Sequence, residues 1–451
     1  MTLRKLLAIW VAKFLIAAGR VAGKKSSSTP GGIALKICPD LLKQLSSQLP
    51  SKHIVAVCGT NGKTTTNNLI YSMLTADGKK VVCNNVGANM IMGVTTAFID
   101  ATTIFGKVTA DYATIEIDEV STRHVFKQMK PGFMIVTNFF RDQLDRYGEV
   151  DITMSAVREA LDMCPDTELI LNGDDPLVTW FGKGRKCHFY GVSEKVLEDE
   201  GEEIGEGRFC KECGQVLDYD YYHYSQLGSY HCPDCGFARP QPEFEAKNVR
   251  LDKGIEFDLN DTHINVNYRG YYNIYNILAS YGATTLMGIP SENINKVLGD
   301  YKPQVGRMES FTIGNKNVIL NLSKNPAGFN QAISSLLEDS RSKDMLFVIN
   351  DNAPDGCDIT WIWDVDYERM LGKVDAFGAS GLRYHDLIVR YKYGGFDMDK
   401  VTGYDSVEKA IKDMLKSDTE VLYVLVSYTA LFGTQELLKK LEQESKGGVM
   451  Q

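Results

Sequence analysis

The stretch Val55-Ala56-Val57-Cys58-Gly59-Thr60-Asn61-Gly62-Lys63-Thr64-Thr65-Thr66 runs from an apolar strand, through a turn holding two glycines, into the polar start of a helix. At such a turn, backbone N–H groups and the positive end of the helix cradle a polyphosphate. Gly59, Thr60, Asn61 and Gly62 are the expected cradle, and Lys63 brings an ammonium to the terminal phosphates. Thr64 or Thr65 offers a hydroxyl to Mg²⁺. The general GxxxxGK[ST] spacing is not fully met, because Val57 occupies its first glycine position.

Outward from this loop, β-rich runs alternate with helical stretches. His53–Cys58, Lys80–Cys83, Tyr112–Ile117, Phe133–Thr137 and Glu168–Asn172 read as strands, and Lys63–Ala76 as a helix. That rhythm predicts a parallel sheet with crossover helices. It stops between Glu198 and Pro242 and returns with Val318–Leu322, Met345–Asn350, Val374–Gly378 and Val421–Ser427. The expected division is a basic amphipathic segment and linker over 1–39 and a central α/β ATP-binding domain over 40–305, with an insertion at 200–240. A second, Rossmann-like α/β domain is expected over 306–451.

The insertion contains Cys210-Lys211-Glu212-Cys213-Gly214 and Cys232-Pro233-Asp234-Cys235-Gly236. Each CxxCG turn aims two thiolates at one point, and two such turns complete a tetrahedral zinc site. Four cysteines leave no open position for chemistry, so Cys210, Cys213, Cys232 and Cys235 are expected to hold a structural Zn²⁺. Ten cysteines with this pairing point to a reducing compartment rather than to disulfides.

Across 451 residues, 58 acidic side chains outweigh 49 Lys and Arg, a net charge of -9 that opposes binding to nucleic acid phosphates. The first acidic residue is Asp40, and Arg4, Lys5, Lys13, Arg20, Lys24, Lys25 and Lys36 precede it. The apolar run Leu6–Gly19 is broken by Lys13 and is shorter than the roughly 20 residues of a membrane span. Leu3, Leu7, Trp10, Phe14, Ala17 and Val21 fall on one helical stripe. The stripe predicts either a peripheral membrane contact through residues 1–25 or packing on the chain's own body, and it counts against a signal peptide.

Gly59-Thr60-Asn61-Gly62-Lys63-Thr64-Thr65 resembles the loop of the Mur ligases and folylpolyglutamate synthetases, and further segments follow in that family's order. The resemblance makes Glu116, in Thr114-Ile115-Glu116-Ile117-Asp118-Glu119, the Mg²⁺-binding glutamate, with Glu119 as the alternative. Thr137-Asn138-Phe139-Phe140-Arg141-Asp142-Gln143-Leu144-Asp145 is similar to the family's TNxxxDHLD segment, and Asn172-Gly173-Asp174-Asp175-Pro176 to its N-x-DDP turn. By the same resemblance Asn273 reads the adenine, and Arg307 meets the phosphates at the hinge between domains. Gln143 stands where most members have a metal-binding His, Ser155-Ala156-Val157-Arg158 lacks the carbamylated lysine, and Asn321 replaces a common acidic residue. These departures mark a divergent branch.

The segments Lys324–Asn330, Asn350–Asp364 and Ser380–Arg383 are similar to a branch of the family that amidates instead of adding an amino acid. The resemblance implies an ATP-dependent carbon–nitrogen ligase that activates the α-carboxylate of D-glutamate in the stem peptide of lipid II as an acyl phosphate. Ammonia from a GatD-like class I glutaminase subunit would convert it to D-isoglutamine, in the cytoplasm at the inner face of the plasma membrane. No GxCxG-like elbow occurs in this chain, so the ammonia has to come from a partner. The acidic loop beyond the strand at Asn350 is expected to be exposed and to lend a carboxylate to the partner's Cys–His pair. Asp355 is the expected donor, flanked by stiffening Pro354 and by Gly356, with Asp351 and Asp358 as alternatives. A stand-alone amino acid ligase of the Mur or folylpolyglutamate type is the first alternative function, and a nucleotide-gated zinc-ribbon module for nucleic acid the second.

Overall fold

Every residue of Ile54–Cys58 is buried, the pattern of a strand covered on both faces. In the computed structural model, the described residues are 3–22, 27–84, 88–141, 150–196, 206–251, 254–267, 270–290, 294–301 and 306–446. Lys24, Lys25, Gln143 and the start of the expected insertion fall outside them.

The chain divides into two compact units, the first comprising residues 1–140, 150–267 and 272–301 and the second mainly 302–451. In the first, β1 (Ile54–Cys58), β2 (Val81–Cys83), β3 (Tyr112–Glu116), β4 (Phe133–Val136), β5 (Glu168–Asn172) and β6 (Cys187–Val192) build a parallel sheet. A hairpin, β7 (Asp218–Tyr224) and β8 (Leu227–His231), stands apart from it. β9 (Phe244–Arg250) rejoins the sheet parallel to β6, and β10 (Ile255–Leu259) and β11 (Thr262–Val266) extend it antiparallel. The order β11-β10-β9-β6-β5-β4-β1-β3-β2 puts β1 between β3 and β4, where the chain first crosses to one side and then to the other. Ligands of open α/β sheets bind beyond the strand ends at such a reversal.

The second unit is a six-stranded sheet of order β12-β13-β17-β14-β15-β16. Its strands are β12 (Glu309–Ile313), β13 (Lys316–Leu322), β14 (Lys343–Val348), β15 (Phe377–Ser380), β16 (Val401–Gly403) and β17 (Val421–Val426). β14 starts two residues earlier than its apolar run suggests, and β15 begins at Phe377 instead of Val374. The side chain of Asp375 accepts the Lys343 N–H at 3.2 Å, so the ladder opens only after it, with Met345 opposite Phe377.

The expected linker is a correction. From Thr29 to Ile37 the chain is helical, and Gly31 packs so closely on the helix Ile91–Asp100 that a Cβ would lie 2.0 Å from the Met92 carbonyl oxygen. Thr96 Oγ1 accepts the Gly31 N–H at 2.9 Å. The N-terminal helix Leu3–Val21 buries Ala8, Ile9, Ala12 and Ile16 against the same helices, so its inner face belongs to the first unit's core. The stripe singled out from the sequence is the opposite face. No described helix is long and apolar enough to cross a membrane.

Glu168, at the start of β5, ties three elements together. Lys52 and Lys186 meet its Oε1, the latter at 3.0 Å, and His188 Nε2 lies 3.3 Å from its Oε2. Burial alone would raise its pKa, but these donors outweigh burial and hold the carboxyl down to about 2. A carboxyl whose folded pKa lies below its unfolded value stabilises the fold above the unfolded pKa and loses that contribution as pH falls through the folded one. Glu168→Gln should therefore cost about 1–2 kcal/mol at pH 7, allowing for the exposed lysines, and the difference from wild type should shrink between about pH 4.5 and 2. Urea unfolding at pH 7 and pH 3 checks this; an equal difference at both would contradict it.

Candidate active site

Cys58 ends β1, and the next four residues turn into the helix Lys63–Ala76. Gly59 and Gly62 have φ of +121° and +86°, in the region that favours glycine. Space enforces the same choice: a Cβ on Gly59 would lie 2.2 Å from Thr137 Oγ1, and one on Gly62 2.3 Å from Asn276 Oδ1. The loop is held from outside by the segment that follows β4. Asn138 accepts the Thr60 N–H through its carbonyl (2.9 Å) and the Asn61 N–H through Oδ1 (2.8 Å). Asn61 O receives Thr137 Oγ1 at 2.7 Å and Asn138 Nδ2 at 3.1 Å. Phe140 N donates to Thr60 Oγ1 at 3.0 Å. The loop conformation is thus fixed by hydrogen bonds from residues more than seventy positions away.

Lys63 is buried and donates to the carbonyls of Gly59 and Thr60 and, at 2.8 Å, to Glu119 Oε1. Burial would lower the lysine pKa, yet the Glu119 carboxylate overrides that and pushes it up, so the ammonium stays charged. Glu116 lies beside Val57 through the β1–β3 register. Asn84 exchanges bonds with its backbone, accepting Glu116 N–H at 2.9 Å and donating to Glu116 O at 2.8 Å. Asn89 Nδ2 donates to Glu116 Oε1 at 3.3 Å, while the buried Oε2 has no hydrogen-bond partner among the described residues. An orphaned buried carboxylate oxygen beside a phosphate-type loop fits a hard cation such as Mg²⁺. Thr64 and Thr65 are half-buried in the first turn of the helix Lys63–Ala76, an element that packs on that carboxylate's strand. Asn273 is buried on the helix Tyr272–Leu286 and accepts Asn276 Nδ2 at 3.1 Å. Asn276 Oδ1 in turn accepts from Thr66 at 3.3 Å. Sequence reasoning passed over Asn276, whose only signal is its place one turn after Asn273.

The four knuckle cysteines bring their sulfurs within 4.8 Å of one another. Cys210 and Cys235 are 3.6 Å apart and Cys213 and Cys232 3.5 Å, too far for a disulfide and close to the edge of a thiolate tetrahedron around zinc. The donor set fits Zn²⁺.

Between the knuckles, the β7–β8 hairpin drives its tip against the first unit's sheet. Gln226, 1% exposed, donates through Nε2 to Phe139 O at 2.5 Å and reaches Asp175 Oδ2 at 3.4 Å. Asp175 also accepts the N–H groups of Phe139 (3.1 Å) and Leu177 (2.9 Å). Arg239, just beyond the second knuckle, donates to Asp174 Oδ1 at 2.7 Å, and Asp174 Oδ2 takes Tyr275 OH at 2.8 Å and Val192 N at 2.9 Å. The insertion is therefore bonded to the residue after the Asn138 clamp and linked, through Asp174, to the helix that carries Asn273. Nothing in the sequence marks Gln226 or Arg239 for this.

In the second unit Arg307 precedes β12, and Asp355 follows β14. The expected exposure of Asp355 is corrected. Asn352, Ala353 and Pro354 are exposed, but Asp355 is buried, its Oδ1 accepting Thr429 N at 2.8 Å and its Oδ2 Thr429 Oγ1 at 2.5 Å. It sits on the first turn of the helix Tyr428–Lys446, whose free N–H groups favour a carboxylate. Asp351 stays partly exposed, 3.6 Å from Arg383, and Asp358 Oδ1 accepts Thr360 N and Oγ1 at 2.8 and 2.7 Å.

A glycine-paired phosphate loop at the sheet's reversal, a buried lysine and a carboxylate shaped for a cation define a nucleotide-binding site. Residues 57–284 match the Mur ligase middle domain, and residues 322–431 match the MurT ligase C-terminal domain. Lipid II isoglutaminyl synthase (glutamine-hydrolyzing) subunit MurT of Staphylococcus aureus strain COL is 36% identical over 448 residues, covering 99% of this chain and all of that protein. The protein of the same description from Streptococcus pneumoniae is 32% identical, covering 92% of both chains. A pseudomurein peptide ligase type C from Methanothermus fervidus has the same fold, with a TM-score of 0.70 at 22% identity over 89% of this chain and 81% of that one. The chain belongs to the MurT family of Mur ligases.

Gly62→Ala is expected to abolish nucleotide binding measured by calorimetry while the far-UV circular dichroism is kept, because the added Cβ displaces Asn276 from the loop. Nucleotide affinity within twofold of wild type would contradict the packing described. Purified chain is expected to carry about one zinc. Removing the metal, or substituting Cys210→Ser with Cys213→Ser, should free the hairpin and speed hydrogen exchange at the Phe139, Leu177 and Val192 amides. Unchanged protection there would mean that the wedge stands without the metal.

Proposed function

We propose that this chain is the ATP-dependent ligase subunit of a glutamine-hydrolysing lipid II isoglutaminyl synthase. The observation that carries the reading is the end-to-end 36% identity to the Staphylococcus aureus MurT subunit. As a subunit it works in a complex, and the partner we assign is a GatD-like class I glutaminase that supplies ammonia.

In the reaction, the α-carboxylate of the stem D-glutamate attacks the γ-phosphorus of ATP and ADP leaves. Ammonia then attacks the acyl carbon, inorganic phosphate departs, and loss of a proton leaves the D-isoglutamine amide. The Gly59–Gly62 loop holds the phosphates through backbone N–H groups, Lys63 and Arg307 offset the charge that develops on them, and Asn273 holds the adenine. Glu119 keeps the Lys63 ammonium in place, as their 2.8 Å pair allows. Thr64 and Glu116 are the ligands we assign to Mg²⁺, which when bound neutralises phosphate oxygens as a Lewis acid. Glu116 is preferred over Glu119 because its Oε2 has no partner among the described residues, whereas Glu119 already holds a lysine. Zn²⁺ on the four cysteines is structural. Residues 1–25 are the part of the chain we set against a membrane, close to a lipid-borne substrate.

Asp355 remains the carboxylate assigned to the partner's imidazole. A triad carboxylate is fixed by its own hydrogen bonds, and Thr429 fixes this one. Asp351 and Asp358 are the alternatives.

Co-purification with the glutaminase, followed by mass spectrometry of lipid II, tests the reading: amidation should require ATP, glutamine and both subunits. Turnover with an amino acid and no glutaminase would replace it with the stand-alone ligase. Lys63→Ala should lower kcat by about 10²–10³ with the fold intact. Asp355→Asn should lose glutaminase activity in the complex yet amidate with free ammonium. If ammonium fails to rescue, Asp355 serves ligation or folding.

A further inference from the structure

The N-terminal helix is amphipathic in an unusual sense: it has two apolar faces. One is spent on the core through Ala8, Ile9, Ala12 and Ile16. The other, Leu3, Leu7, Trp10, Phe14 and Val21, is exposed, with Phe14 at 72%. Soluble proteins rarely line up large apolar side chains in water without a use for them.

A second element joins this face. The turn between Thr102 and Val108 is closed by a bridge between those residues, by Thr103 N–H to Lys107 O at 2.8 Å and by Gly106 N–H to Thr103 O at 2.9 Å. Gln48 grips it from below, donating to Gly106 O at 3.0 Å and accepting Val108 N–H at 3.0 Å. So held, the turn presents Ile104 and Phe105 outward, Phe105 at 63% exposure. Trp10 Nε1 donates to Ile104 O at 2.8 Å, so the turn and the helix form one continuous apolar surface with an indole at the seam. Nothing in the sequence joined residues 104 and 105 to the N-terminal stripe.

Charge selects the occupant. No Asp or Glu occurs before Asp40, and Arg4 and Lys13 flank the apolar face on the helix, the first donating to Ile37 O and the second to Asp100 O at 3.4 Å, with exposed Lys107 on the turn. Asp100, the acidic group facing this helix, is engaged by Arg20 at 2.8 Å. Apolar side chains around an indole, rimmed by cations, match a bilayer interface carrying anionic headgroups. We infer that the helix Leu3–Val21 and the Ile104–Phe105 turn together dock this protein on an anionic membrane surface, the turn inserting beside Trp10. This rests on the membrane contact proposed above for residues 1–25 and adds to it the turn and the anionic surface; it does not depend on the amidation reading, because the test involves no turnover.

The test is flotation of the purified full-length chain with vesicles of phosphatidylglycerol and phosphatidylcholine, against vesicles of phosphatidylcholine alone. The chain should float with the anionic vesicles and lose most of that binding in high salt. The neutral pair Ile104→Ser with Phe105→Ser should lower the partition coefficient about tenfold, and so should Leu7→Ser with Phe14→Ser. Both pairs replace exposed side chains, and unchanged thermal melting confirms that folding is kept. Equal flotation of wild type and the turn variant would overturn the role of the turn. Failure of the wild type to bind anionic vesicles would overturn the proposal. If either pair instead turns a dimer into a monomer by light scattering and leaves flotation unchanged, the face covers a second copy and the membrane proposal is wrong.

Discussion

Asn138 carries the structure of the site. One short segment after β4 accepts the Thr60 and Asn61 N–H groups and, with Thr137, donates to Asn61 O, so the loop that follows β1 has a single shape. Preorganised backbone N–H groups stabilise developing negative charge because they need no reorientation when it appears. The β1–β4 and β1–β3 pairings then set everything else: one delivers the clamp and the other puts Glu116 level with Val57. Lys63 and Glu119 complete the arrangement as a buried pair, each the condition for the other's burial.

The zinc insertion belongs to this same network. This small module has few buried apolar residues and a four-cysteine cluster that fits Zn²⁺, yet its hairpin tip is among the most buried polar groups of the first unit. Gln226 bonds to Phe139, the residue after Asn138, and Arg239 meets Asp174, which also holds Tyr275 on the helix of Asn273. The insertion thereby braces, through Phe139 and Asp174, the elements on both sides of a phosphate loop that it does not touch.

Much of this was legible in the sequence because the signals were local. A glycine three residues before Gly-Lys-Thr, two CxxCG turns at knuckle spacing and an apolar run ending at Cys58 each specify a shape within a few residues, and the helix Lys63–Ala76 has the bounds its sequence predicts. What escaped was non-local. Ser26–Gly32 has the composition of a linker, but Gly31 is small because a neighbouring helix backbone sits against it. Asp355 has the neighbours of an exposed turn, but Thr429, seventy-four residues on, takes its carboxylate into the structure. Gln226 is an ordinary polar residue until folding places it behind the clamp. The helical stripe of Leu3 to Val21 was visible, whereas its continuation into Ile104 and Phe105 depended on the fold.

The central claim is transfer of a carboxylate oxygen to phosphate, the signature of an acyl phosphate that ammonia displaces. Lipid II labelled with ¹⁸O in the α-carboxylate of its D-glutamate, supplied to the complex with ATP and glutamine, reports this directly by ³¹P NMR of the phosphate released. Each D-isoglutamine formed should deliver one carboxylate oxygen to inorganic phosphate, seen as the upfield isotope shift. Amidation with unlabelled phosphate would show that the carboxylate is not activated through phosphorus and would contradict the roles of Lys63, Glu116 and the loop that Asn138 holds.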